Sequence, residues 1–599
     1  MTVAINVIMT TLLGRLWRHL SQRRQRQFWV LTGLMLLSAF AEVVSLGAVL
    51  PFIGILTAPD RVLHNPVVAN LALALGIITA DQLVLPLTVV FVSAVMLAAA
   101  IRMLLLWVST RLIFASSADL SVEVYRRTLY QPYPVHVARN SSEVISGITN
   151  KVNGTVFGVL LPLLTLVSSM LLLVAVMVAL LVIDPIAALV AAISFGASYG
   201  LIAWMTRRRL HWNSRRVAFE QTQVLKALQE GLGGIRDVLL DGTQPIYCDI
   251  YSRADYSLRR AQGTNSFIAG SPRFAMEALG IALIVAFAYG LSRQDGGIMA
   301  ALPVLGALAL GAQRLLPAFQ MGYGAWASIA GNQAALVDTL KLLDQPLPAE
   351  ALLSAPAPLL FQNTIRFSAV RFRYASTGPW VLDGINLSIP KGGRVGFVGS
   401  TGSGKSTTLD LLMGLLMPTE GEILIDDQPV SGGRLRAWQR TIAHVPQSIF
   451  LADATLAENI AFGVPRDAID LERVRQAARH AQIAGFIENR PEGYEAFVGE
   501  RGIRLSGGQR QRIGIARALY KQASVLVFDE ATSALDTATE ESVMDAIEGL
   551  SHDLTILIVA HRLSTVECCE RLYRLEQGRI VAEGSPNDML ASKSVVSST

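Results

Sequence analysis

The first 340 residues are too apolar to fold as a soluble domain. They hold six mostly apolar stretches, each of roughly 20 residues or more, near 28–55, 83–108, 156–182, 186–206, 266–291 and 298–335. Hydrocarbon offers no hydrogen-bond partners, so a single chain crosses it with backbone groups paired internally, as a helix. The last stretch exceeds what a bilayer needs and is expected to continue as a helix into the cytosol. The whole chain of 599 residues is 52% hydrophobic and 16% charged, with a mean hydropathy of +0.44. That is outside the soluble range. A net charge of only +5 assigns the basic residues to membrane flanks rather than to a nucleic-acid surface.

Basic residues set the orientation, because cytosolic loops retain lysine and arginine. Segments 1–27, 109–154 and 207–265 carry 20 of them, whereas 56–82, 183–185 and 292–297 carry only Arg61 and Arg293. The first set is therefore cytosolic, and six crossings return the chain to the cytosol. A basic segment (Arg15, Arg18, Arg23, Arg24, Arg26) precedes the first apolar stretch, which is too long for a signal-peptide core. The cytosolic loops are interrupted at Gln131-Pro-Tyr-Pro134 and Gly231-Leu-Gly-Gly234. This pattern suits membrane helices that overrun the bilayer and turn back through short transverse helices. Val67–Gly76 reads as a short helix at the outer interface. Cys248, Cys568 and Cys569 lack metal-ligand spacing and read as free thiols.

Charges inside the spans are costly. Arg102, Arg273 and Arg314 fall on three different helices, each in the cytosolic half of its span. A single arginine near a helix end snorkels to the interface, and Arg273 has Glu277 at i,i+4. Three at similar depth point to a shared water-accessible cavity for an anion such as phosphate or pyrophosphate. Glu42 pairs with one of them or lines the same cavity.

A proline-rich linker, 344–358, separates this region from one of soluble α/β composition. The domain reading is 1–27 cytosolic segment, 28–340 membrane domain with long cytosolic loops, 341–360 linker and 361–599 nucleotide-binding domain. In the last, Gly399, Ser400, Thr401, Gly402, Ser403, Gly404, Lys405, Ser406 and Thr407 form a phosphate loop between an apolar strand, Arg394–Val398, and a helix. Its backbone N–H groups and helix N-terminus cradle phosphates, Lys405 neutralises the β- and γ-phosphates, and Ser406 ligates Mg²⁺. Three further strands end in polar groups. Val525–Asp529 ends in the Mg²⁺ partner of Ser406, and Glu530 follows as the expected general base. Val445-Pro-Gln447 places an amide near Mg²⁺ and water. Leu554–His561 ends in a histidine for the γ-phosphate. Tyr374 is positioned to stack on adenine. Leu505-Ser-Gly-Gly-Gln509 offers a second anion cradle at a helix start, which implies a nucleotide held between two copies of the domain.

Together with Ser533-Ala-Leu-Asp536 and His561, these motifs resemble the nucleotide-binding domain of ABC transporters. Joined after six spans, the chain resembles their exporter half-transporters over essentially its whole length. The resemblance implies a helical membrane domain fused to an α/β P-loop domain with a helical subdomain. It also implies a homodimer in which ATP lies between the phosphate loop of one copy and Ser506, Gly507, Gly508 and Gln509 of the other, with Asp536 also at the nucleotide. Gly499-Glu-Arg-Gly502 resembles the element that couples such ATPases to transverse helices. Ala41–Phe52, Ser271–Gly280, Gln313–Pro317 and Leu572–Gly578 are similar to bacterial flippases of lipid-linked oligosaccharides. That resemblance implies ATP and Mg²⁺ as cofactors, a lipid-linked anionic substrate and a bacterial inner membrane. Exporters of drugs, peptides or lipid A share the fold. A soluble chromosome-maintenance ATPase is disfavoured by the six spans, and an ATP-gated channel is the remaining alternative.

Overall fold

A computed structural model describes residues 2–47, 80–183, 185–292, 297–348, 354–530, 553–559 and 569–589, with residues 351, 538, 540, 541, 543, 566 and 567 besides. The expected interfacial helix at 67–76, Cys568, Ser533–Asp536 and His561 lie outside these residues, as does the side chain of Arg314. The chain divides into two compact units, one of Met1–Gln131 and Val135–Leu347, the other of Pro132–Pro134 and Pro348–Thr599.

The first unit is helical. α1 (Thr2–His19) and α2 (Gln22–Gly47) lead to α3 (Ala80–Leu129) and the short α4 (Tyr133–Ala138). A helical stretch from Ser141 passes through two π-helical segments, Gly147–Lys151 and Val156–Leu160, into α5 (Leu161–Ile183). Then follow α6 (Pro185–Gly233), α7 (Ile235–Leu240), α8 (Gln244–Gly270), α9 (Pro272–Ser292), α10 (Gly297–Gly331) and α11 (Gln333–Leu343). Among the described residues, five helices are long and apolar enough to cross a membrane. The sixth apolar run lies on α10, which is 35 residues long.

The segments expected to be cytosolic are more regular than loops. α3 has 50 residues and α6 has 49. At 1.5 Å per residue each is about 75 Å long, over twice the ~30 Å hydrocarbon core. Helix continues past the apolar windows because these overhangs bury an apolar stripe of their own. Leu16, Leu31, Ile113, Leu120, Val124, Val152, Val156, Leu336 and Leu340 form one buried cluster across α1, α2, α3, the π-containing stretch and α11. Each such side chain contributes about 1.5–3 kcal/mol. Polar pairs fix the register of this bundle. Thr155 Oγ1 and Thr339 Oγ1 are 2.8 Å apart, Lys151 Nζ is 3.0 Å from Asp338, and Ser328 Oγ donates to the Gly158 carbonyl at 3.1 Å. A Cβ at Gly158 would come within 2.3 Å of the Asn332 side chain, so glycine is what allows the close approach. The turns expected to be transverse helices are helical: Tyr133–Ala138 and Ile235–Leu240 are single short helices.

The second unit has two sheets. An antiparallel one runs in the order β2-β1-β4-β5, from β1 (Thr364–Phe372), β2 (Leu382–Pro390), β4 (Glu420–Ile425) and β5 (Gln428–Pro429). A six-stranded one runs β10-β9-β3-β8-β7-β6, from β3 (Arg394–Val398), β6 (Ile442–Val445), β7 (Val525–Asp529), β8 (Thr555–Val559), β9 (Arg571–Glu576) and β10 (Arg579–Gly584). Strands β9, β3, β8, β7 and β6 are parallel neighbours, and only β10 runs the other way. β8 is buried at all five positions, as a central parallel strand must be when both faces are covered. α12 (Lys405–Leu412) follows β3, and α13 (Gly433–Thr441) precedes β6. α14 (Leu471–His480) and α15 (Gly507–Tyr520) form a helical subdomain around Val474, Ala477, Ile483 and Ile513.

Candidate active site

The parallel register brings the expected strand ends to one edge. Phe397 pairs with Val559, Asp529 with Val559, and Val445 with Phe528. The phosphate loop, Gln447 and Glu530 therefore leave the sheet side by side at its carboxyl edge, where open α/β sheets hold ligands.

Glycine is required at two points of the loop. Gly399 has φ +155°, and a Cβ there would sit 2.2 Å from the Leu575 carbonyl oxygen. Gly404 has φ +104° and is the N-cap of α12, with no side chain capping the helix. The first-turn N–H groups of α12 are thus left for an anion. Lys405 is 6% exposed, and its Nζ donates to the carbonyls of Gly399 and Ser400 at 2.9 and 3.0 Å. Burial pushes its pKa down, while the Glu530 and Asp529 carboxylates act in the opposite direction. Ser403 Oγ is buried without a hydrogen-bond partner among the described residues. A cradle with open N–H groups, an orphaned hydroxyl and a centred cation fits a phosphate chain. Ser406 and Asp529 supply hard oxygen donors of the kind Mg²⁺ takes.

Across the cradle, Gln447 Nε2 donates to Glu530 Oε2 at 2.7 Å. Glu530 has φ +51°, and its N–H donates to the Val559 carbonyl at 2.9 Å. A left-handed non-glycine residue costs about 1–2 kcal/mol. Here that strain turns the carboxylate out of the strand direction that Asp529 follows. Tyr374 is exposed, stacks edge-on against Phe372, and places its hydroxyl 3.4 Å from Thr407 Oγ1. The ring stands beside the loop with a free face.

The second cradle is built differently. Ser506 caps α15, its Oγ accepting from the Gln509 N–H at 3.2 Å, while Gln509 Oε1 accepts from the Ser506 N–H at 2.9 Å. This reciprocal capping box holds Gly507 and Gly508 in the first turn.

Sequence reasoning missed Asp410. Its carboxyl is raised to about 6 by burial, with the nearby Asp529 carboxylate adding to the effect. A lone acid amid Leu409, Leu411 and Leu412, five residues past the loop lysine, was the available signal.

In the membrane unit, Arg102 Nη1 lies 2.6 Å from Glu42 Oε1, with Glu42 3% and Arg102 44% exposed. Arg273 Nε lies 2.7 Å from Glu277 Oε1. Both charges thus have a carboxylate partner in their own chain.

A family model described as the ABC transporter transmembrane region matches residues 1–301, and one described as ABC transporter matches residues 382–533. The chain is 32% identical over 487 residues, 79% of each protein, to the ATP-dependent lipid A-core flippase of Cupriavidus metallidurans. It is 35% identical over 398 residues to the protein of the same name in Chromohalobacter salexigens, covering 65% of this chain and 67% of that one. A solved structure described as a bacterial Atm1-family ABC exporter with ATP bound is similar with a TM-score of 0.77 and 27% identity, covering 96% of this chain and 97% of that one. This chain belongs to the ABC transporter family, as a multi-pass membrane half-transporter of the exporter type that couples ATP hydrolysis to transport.

Proposed function

We propose that two copies of this chain form a homodimer that flips an amphipathic, anionic, lipid-linked substrate, of the lipid-linked oligosaccharide kind, across a bacterial inner membrane by alternating access. Residues 28–340 carry the substrate, and residues 361–599 hydrolyse ATP in the cytosol. The 131–150 and 228–245 segments, which contain α4 and α7, pass movement between them.

The observation that carries the catalytic assignment is the 2.7 Å Gln447–Glu530 hydrogen bond beside the phosphate loop. Glu530 takes the proton of the attacking water, Gln447 orients that water, and His561 contacts the γ-phosphate. Gly399–Thr407 bind the phosphates, and Tyr374 stacks on adenine. Ser506–Gln509 and Asp536 of the second copy close the site. Ser406, Asp529 and Gln447 would hold Mg²⁺, which would supply positive charge beside the transferred phosphate. Replacing Glu530 by glutamine tests this role: ATP binding persists and hydrolysis stops, whereas near-normal turnover overturns it.

Two things support the substrate class. The relatives named above are lipid A-core flippases by name, which supports a lipid substrate. Arg102, with Arg273 and Arg314, supplies cationic groups at intramembrane depth, and the Arg102 side chain stays 44% exposed while it pairs with Glu42. ATPase stimulation in nanodiscs, titrated with polyprenyl-pyrophosphate glycans, lipid A-core and a cationic drug, tests the class. Stimulation by the pyrophosphate lipid alone supports the first reading. Stimulation by lipid A-core alone replaces it with the reading that the relatives' names favour, and stimulation by the drug alone excludes both.

A further inference from the structure

The middle of α6, just past its apolar run, and the facing part of α8 line an open cavity of ≈ 510 Å³, with Arg208, Arg209, Arg216 and Arg260, Trp212 and Thr264 among its walls. It lies outside the ATP site and away in sequence from Arg102, Arg273 and Arg314. The Arg209 and Arg216 guanidinium groups both lie over the Trp212 ring, 6.0 and 4.9 Å from its centroid. That indole acts as a shelf which holds two like charges near each other. Arg216 is further fixed by Ser257 at 2.8 Å and Glu220 at 3.8 Å. Glu220 also accepts from Ser257 at 2.7 Å. Arg208, Arg209 and Arg260 have no carboxylate within ion-pair distance among the described residues. Four guanidinium groups around one cavity with one bound carboxylate leave an uncompensated positive charge. Such a site costs stability by self-repulsion unless an anion enters it.

The depth of the cavity identifies the anion. The apolar run of α6 ends at Trp204 and Met205, both exposed, and Arg207, Arg208 and Arg209 follow at once. A tryptophan at the end of an apolar run followed by arginines marks the level of the lipid head groups. Guanidinium planes bind phosphate bidentately, and Met205 at the cavity edge offers contact for the start of an acyl chain. We propose that this cavity binds the phosphate-bearing head group of a lipid in the cytosolic leaflet. The site is independent of the substrate assignment: it needs only that α6 crosses the membrane.

The test uses the full chain in detergent, titrated with phosphatidylglycerol or phosphatidylcholine and read by native mass spectrometry. The wild type retains phosphatidylglycerol preferentially. The triple variant R208Q/R209Q/R260Q weakens that retention by about tenfold or more. Trp212→Ala leaves all four charges in place but removes the shelf, and it weakens retention several-fold. Size exclusion and thermal unfolding establish that each variant is folded. If the triple does not fold, the comparison rests on Trp212→Ala. Competition by inorganic pyrophosphate places recognition in the phosphate and supports the proposal. Retention of phosphatidylglycerol equal to wild type in both folded variants overturns it. Pyrophosphate binding without any lipid preference also overturns it, because the cavity would then be a free-anion site.

Discussion

The ATPase unit contains two glycine-rich helix starts, and they are built in opposite ways. At Gly404 the helix N-terminus has no side-chain cap, and Lys405 reaches back to its own loop carbonyls. At Ser506 the helix N-terminus is closed by a reciprocal capping box with Gln509. The first is arranged to take phosphate from within one chain, because its donors are open and its cation is in place. The second is stable by itself and gives up a cap only for a better partner. In the proposed homodimer, this difference lets one chain bind nucleotide at the open cradle while hydrolysis waits for the capped cradle of the other.

Several substitutions break or sharpen this contrast. Glu530→Gln removes the proposed general base and has the largest effect: ATPase turnover falls by about 10²–10⁴-fold, while labelled ATP still binds in a filter assay. Lys405→Ala leaves the open cradle without its cation and weakens ATP binding by about tenfold or more, measured by the same assay. Ser506→Ala removes the cap of α15 at a cost of about 1 kcal/mol. It lowers hydrolysis while Lys405-dependent ATP binding persists, and equal loss of both would mean that the two cradles are one folding unit. Asp410→Asn has the smallest effect. The Asp410 carboxyl is raised to about 6 in the folded protein, so the fold binds its proton more tightly than the unfolded chain does. Its contribution is favourable below the unfolded pKa of about 3.8 and is lost as pH rises to about 6. The asparagine variant is therefore the more stable one at pH 8, by about 1 kcal/mol once solvent screening is allowed for. The difference vanishes near pH 4, which thermal unfolding at the two pH values reads.

The cradles were legible in the sequence because their chemistry is local. Gly399–Thr407 and Leu505–Gln509 carry their own strand and helix flanks, and β3, β7 and α15 fall where those flanks imply. The Gln447–Glu530 contact spans 83 positions. Only the order β8-β7-β6 makes it, and strand order is not written in any one stretch. The membrane unit was legible in its apolar runs but not in its overhangs. α3 and α6 run on well past residues 108 and 206, because packing against other helices replaces lipid as the partner of their apolar stripe. The π-helical segments at Gly147–Lys151 and Val156–Leu160 leave composition and periodicity almost unchanged, so no pattern announces them. Arg208, Arg209, Arg216 and Arg260 were visible only as loop charge. Their convergence on one cavity needs two helices laid side by side.

The most direct test of the two-cradle account is complementation between chains. Lys405→Ala and Ser506→Ala chains, each with a different tag, are co-expressed and purified through both tags, so that only mixed dimers remain. The mixed dimer has one site with a wild-type phosphate loop and a wild-type signature, contributed by different chains. The account predicts ATPase activity well above that of either variant alone. Activity no greater than the mean of the two separate variants would contradict it, because each cradle would then be working within its own chain.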